Sequence, residues 1–139
     1  MHELTAPIVS AVTAGALILI QMALALLVVL ARRKNRQSLG DGGNADVLRA
    51  ARRHGNLAEN AAIFIAGFTL FELIGGSPRT LEIMCAVFVL GRLSHAIGLS
   101  LTNTVNPLRV LGIFATVAVG VTLGVRLLTI GIARLPPIF

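Results

Sequence analysis

Arg49-Ala50-Ala51-Arg52-Arg53-His54-Gly55-Asn56-Leu57-Ala58-Glu59-Asn60, running straight into Ala61-Ala62-Ile63-Phe64-Ile65-Ala66-Gly67-Phe68, decides the fold. The second half suits hydrocarbon, and the first half concentrates its charge on one side. At about 100° per residue, Arg49, Arg52, Arg53, Asn56, Glu59 and Asn60 share one helical face roughly 120° wide, with His54 off the stripe. Arginine stems that snorkel to a membrane surface account for Arg49 and Arg53 as well as a functional role does. Asn56 and Glu59 lie deeper. A lone charge at the bilayer centre costs about 3 kcal/mol on insertion scales, so side chains there face protein or water. Two arrangements satisfy them: an interhelical salt bridge such as Glu59 to Arg92, or a polar cleft.

Outward from this segment, the chain resolves into apolar runs and breakers. The first run extends from about Thr5 to Ala31 and stops at Arg32-Arg33-Lys34-Asn35-Arg36. At about 1.5 Å per residue it crosses a hydrocarbon core of roughly 30 Å. Gly40-Asp41-Gly42-Gly43-Asn44 reads as a loop, because Gly and Asn accept positive φ, and Asp46 is the expected N-cap of helix two. Helix two is expected from about Val47 to Ile74, before Gly75-Gly76-Ser77-Pro78, and helix three from about Arg79 to Leu101. A loop at 102–107 leads to helix four, about Leu108 to Ala133. Pro107 suits its first turn, and Pro136-Pro137 forbids continuation. The expectation is an all-α, integral membrane four-helix bundle in a single domain over 1–139.

Composition agrees. The 139 residues are 55% hydrophobic and 13% charged, where a soluble domain has about 25% charged residues. Trp and Tyr are absent, so the usual aromatic belt at the membrane surface is missing. The net charge of +6 does not point to nucleic acid, since most cations flank apolar runs and no basic-aromatic platform exists. The cations also orient the chain. Arg32, Arg33, Lys34 and Arg36 crowd the first loop and Arg109 follows the third, which places loops one and three in the cytoplasm and both termini outside. The N-terminus lacks the basic start of a cleavable signal and reads as a retained helix. Cys85 is the single cysteine, so no intramolecular disulfide forms, and its apolar neighbours mark an inert buried thiol.

Arg92 and His95 lie at i and i+3 on helix three, hence on one face. Their end of the helix is level with the start of helix two, so they can join Arg52, Asn56 and Glu59 in one cleft. A lone histidine of this kind is more often hydrogen-bonded structure than a ligand. No Cys/His or carboxylate cluster has metal-site spacing, and no acid is placed to serve His95 in a hydrolytic triad. A small multidrug transporter is also short and four-spanning. Such transporters need an acid deep in helix one, where this chain has Gln21, and Glu72 has no evident transport partner.

Arg52-x-x-x-Asn56-x-x-Glu59 on helix two, with Gly91-Arg92-x-x-His95 on helix three, resembles the family of membrane-associated proteins in eicosanoid and glutathione metabolism. Gly40-Asp41-Gly42-Gly43, His54-Gly55-Asn56 and Gly91-Arg92-Leu93 look most like its small bacterial branch. The likeness extends over nearly the whole chain in span count, length and motif order. It implies a homotrimer in the bacterial inner membrane, with glutathione as co-substrate between neighbouring subunits near the cytoplasmic surface. Arg52, Asn56 and Glu59 would hold its carboxylate and amino groups, Arg92 and His95 would complete the pocket, and Arg32 or Arg33 would reach a carboxylate. Arg109 would face the sulfur as the catalytic residue. The implied activity is transfer of glutathione to a lipophilic small molecule, or peroxide reduction, with the lipophilic molecule arriving through membrane lipid between helices one and four. The chain departs from the family pattern in having no tyrosine, with Leu99 where some members have one, and in having Ala62 where many have proline. A non-catalytic binding or scaffold relative of the same fold is the alternative.

Overall fold

The computed structural model describes residues 6–101 and 106–136. Four helices make up the described chain: α1 (Ile8–Lys34), α2 (Ala45–Leu73), α3 (Pro78–Leu101) and α4 (Pro107–Ala133). The bounds match the expected ones to within about a turn. The expected start of helix one at Thr5, most of the third loop and Pro137 lie outside the described residues.

Helix ends follow local chemistry. α1 continues through Arg32, Arg33 and Lys34, whose charges stabilise its C-terminal carbonyls. In the following loop Gly40, Gly42 and Gly43 all adopt positive φ. The N-cap of α2 is Asn44 rather than Asp46: the Asn44 side chain accepts from the backbone N–H groups of Asp46 and Val47. Asp46 instead occupies the first turn and pairs with Arg49. α2 ends in a Schellman motif at Gly75 (φ 70°), where Gly76 N donates to Phe71 O at 2.9 Å and Gly75 N to Glu72 O at 3.0 Å. α4 opens on Pro107, with the Asn106 side chain accepting from Arg109 N.

α2 touches the other three helices, while α1 and α4 share no contact among the described residues. Within one chain α1 and α4 are therefore not neighbours. The core is built from Leu17 and Leu24 of α1, Leu57, Phe64, Phe68 and Phe71 of α2, Leu81, Met84 and Phe88 of α3, and Val119 and Leu123 of α4. The rings of Phe64 and Phe88 stack at 4.1 Å, with Phe68 edge-on to Phe88 at 5.8 Å. Between α3 and α4 the backbones nearly touch, with Gly91 facing Gly112 and Ala115. Small residues permit such contact, which matters in lipid because association there depends on close packing and polar bonds.

The outer surface is apolar: Leu19, Val12, Ile63, Leu90, Phe114 and Val121 are all exposed. α1, α3 and α4 are each long and apolar enough to cross a membrane, and only 11% of the most apolar window of α1 is buried by the other helices. This is a membrane protein. α2 is not among those three helices, because its first turns carry the polar stripe. At the end away from that stripe, Glu72 holds the start of α1. Its carboxylate accepts from Val9 N at 3.0 Å, Ser10 N at 2.8 Å and Ser10 Oγ at 2.6 Å. The acid without an evident transport partner is thus engaged as a cap for a helix N-terminus.

Candidate functional site

The polar stripe of α2 divides. Arg52, Asn56 and Glu59 turn toward α3 and α4, where with His95, Leu99 and Arg109 they line a cleft of about 570 Å³. Arg49 and Arg53 turn the other way, toward α1 and the last turn of α3. Side chains of one stripe diverge because the crossings of α1 and α4 on α2 lie on different sides of its axis. Asn60 stays with the helix backbone, donating from Nδ2 to Asn56 O at 2.8 Å.

Asn56 is anchored from behind the cleft by a buried side chain. Arg92, only 4% exposed, donates from Nη1 to Asn56 Oδ1 at 2.6 Å and from Nη2 to Gly112 O at 2.9 Å. One buried guanidinium thereby joins α2, α3 and α4. Its carbon lies 6.0 Å from the centre of the Phe88 ring, so the ion rests on the aromatic core. With Oδ1 committed to Arg92, the amide nitrogen of Asn56 is left as a donor toward the cleft. Of the two arrangements, the salt bridge from Glu59 to Arg92 does not form among the described residues; Arg92 donates instead to Asn56 and a backbone carbonyl. It stands behind the lining residues and positions one of them.

His95 is 6% exposed and lines the cleft. Its backbone packs against Gly112, where an added Cβ would lie 2.7 Å from the His95 Cβ. Arg109 enters from the first turn of α4, its stem lying over the bare backbone of Gly98; an added Cβ there would stand 2.7 Å from Arg109 Cγ. The Asn106 Nδ2 group ties this turn to α3 by donating to Gly98 O at 2.7 Å. The seven-residue spacing of Gly91 and Gly98 was the available signal for this close crossing, since it puts both on one face of α3.

Arg52 and Glu59 are exposed at the cleft mouth, and their side chains make no hydrogen bond or ion pair among the described residues. The cleft therefore presents cations from two helices, one carboxylate, one amide donor and one imidazole. Arg32 and Arg33 do not line it. They lie in the last turn of α1, where Arg32 Nη1 donates to Ser38 O at 3.3 Å. Five of the eight expected site residues thus converge on the cleft, Arg92 supports it from behind, and Arg32 and Arg33 stand apart within one chain.

A cleft of this size lies within the range of about 300–1,000 Å³ common to small-ligand sites. Its chemistry fits a small zwitterion richer in carboxylates than in amines. Arginine's planar fork matches carboxylates, and a single carboxylate matches an ammonium group. In the comparison with known families, residues 10–129 match the MAPEG family. No curated protein and no solved structure matches the chain.

Proposed function

The chain belongs to the MAPEG family, and we propose that it is a membrane-bound, glutathione-dependent transferase or peroxidase acting on lipophilic electrophiles. The observation that carries this reading is the convergence of Arg52, Asn56, Glu59, His95 and Arg109 on one cleft at one end of the bundle. Glutathione has two carboxylates and one ammonium group. Arg52 and the Asn56 amide are suited to a carboxylate, and Glu59 to the ammonium.

When bound, glutathione supplies a thiol that attacks an electrophile or reduces a peroxide. Arg109 acts on that thiol as a fixed positive charge. A free thiol has a pKa of about 8.5, and each unit by which a guanidinium lowers it corresponds to about 1.4 kcal/mol of preference for the thiolate. His95 lies at the inner wall, where it can hold or accept a proton. Arg92 keeps the Asn56 amide aimed. Arg32 and Arg33, remote from the cleft of their own chain, serve a site in this reading only if it is completed between subunits of a homotrimer. Contact with membrane lipid is ensured by the apolar exterior, through which a lipophilic substrate reaches the cleft. The basic end of the bundle, with loops one and three, faces the cytoplasm of a bacterial inner membrane in this reading.

A second reading has one observation in its favour: Leu99 presents an apolar side chain at the cleft wall, and the chain has no tyrosine to supply a phenol there. In that reading the protein binds glutathione without catalysis. Calorimetric titration of the purified protein with glutathione tests the shared premise. Binding is expected in the millimolar range or tighter, and Arg52→Ala and Glu59→Ala should each abolish it. Absence of heat from wild type at several millimolar glutathione refutes both readings. Turnover of an aryl halide then separates transferase from binder.

A further inference from the structure

The other half of the divided stripe builds a second groove at the same end of the bundle. It has a volume of about 320 Å³ and lies between the last turns of α1, the first turns of α2 and the end of α3. One wall is apolar, from Leu27 and Leu30 of α1, and the rim is basic, from Lys34, Arg49 and Arg53. Asp46 offsets one of these three cations by pairing with Arg49. Arg53 spans the groove to α3, donating from Nη1 to Ser100 Oγ at 2.8 Å, while its buried Nε has no hydrogen-bond partner among the described residues. Arg32, Arg33 and Arg36 add positive charge beside the same helix end.

We propose that this groove binds an anionic phospholipid, with the headgroup phosphate at Lys34 and Arg53 and an acyl chain along Leu27 and Leu30. The occupant must be amphipathic, because a cationic rim and an apolar wall meet in one groove. The wall leads directly onto the membrane-facing side of α1, where Leu26, Leu27 and Leu30 are exposed. Charge complementarity selects an anionic headgroup over a zwitterionic one, and basic pockets between membrane helices recognise such headgroups. Arginine's fork matches phosphate oxygens in pairs. The groove is separate from the glutathione cleft: their α2 residues are centred roughly 120° apart around the helix. The inference is independent of the proposed enzymatic activity.

The test uses the full chain purified in an uncharged detergent and titrated with phosphatidylglycerol or phosphatidylcholine of the same chains, with lipid retention read by native mass spectrometry. Phosphatidylglycerol is expected to be retained in preference to phosphatidylcholine. Lys34→Gln and Arg53→Gln should each weaken that preference about fivefold, the effect of one basic group near a lipid surface. Lys34 is exposed, so Lys34→Gln leaves the fold intact even if loss of the Arg53–Ser100 bond does not. Arg79→Gln, an exposed charge at the opposite end of the bundle, should change nothing. Equal retention of the two lipids, an equal loss with Arg79→Gln, or an unchanged preference in Lys34→Gln overturns the proposal. Displacement of the lipid by millimolar glycerol phosphate would make this a soluble-anion site and also overturn it. A changed assembly size in the Lys34 variant without lipid preference would assign the groove to a second copy of the chain, with the same consequence.

Discussion

Replacing Gly112 by alanine tests the contact on which the cleft depends. The added Cβ would lie 2.5 Å from Gly91 O, 2.7 Å from the His95 Cβ and 2.9 Å from His95 N. None of these atoms belongs to the far end of a flexible side chain, so no rotamer change relieves the clash. The nearest is about 0.9 Å short of ordinary contact, and α3 and α4 must separate or slide to restore it. Overpacking of this kind costs about 1–3 kcal/mol. Alanine offers up to about 1 kcal/mol in return through its better helix propensity. Gly15→Ala isolates that second effect, because nothing lies within 4 Å of its added Cβ. Thermal unfolding in detergent is the assay. Gly112→Ala should melt on the order of 4–8 °C below wild type, taking a net loss of about 1–2 kcal/mol and roughly 4 °C per kcal/mol. Gly15→Ala should melt at or above wild type. A Gly112→Ala protein as stable as Gly15→Ala would refute the close crossing of α3 and α4, and with it the placement of His95 against α4.

Arg92→Met should lower stability by about 1.5–3 kcal/mol for each charged hydrogen bond lost, and a double-mutant cycle with Asn56→Leu should show coupling above about 1 kcal/mol; an additive result would contradict the 2.6 Å bond. Glu72→Gln should cost about 1–2 kcal/mol by removing the charge that holds the start of α1. Faster hydrogen exchange confined to the Val9 and Ser10 region should accompany that loss, and unchanged protection there would argue against the cap. Glutathione at ten times its dissociation constant should stabilise wild type by about 1.4 kcal/mol, and Arg52→Ala should lose this increment without losing basal stability. Arg109→Ala should still bind glutathione but react more slowly with an aryl halide, the deficit shrinking as pH rises and the thiol ionises unaided; a deficit that stays constant with pH would remove Arg109 from thiolate stabilisation.

The sequence by itself determined the number of helices, their bounds, the membrane environment and the polar face of α2. These are local properties: the lengths of apolar runs, the φ demands of Gly40 to Gly43 and Gly75, and the angular spacing of side chains on one helix. Even so, the cap of α2 went to Asn44 rather than Asp46, because both residue types cap well and only the path of the loop decides between them. Pairing across helices was not legible. α1, α3 and α4 are apolar nearly all round, since lipid tolerates the same side chains as the core, and a helix without a polar outer face does not reveal which side turns inward. That rotation decided that Arg92 serves Asn56 and not Glu59, that Glu72 caps α1, and that Arg32 and Arg33 stand away from the cleft of their own chain. It also split the charged stripe of α2. Arg52, Asn56 and Glu59 entered the cleft with Arg109, while Arg49 and Arg53 entered the groove beside Lys34, because α4 and α1 pack on different sides of the same helix.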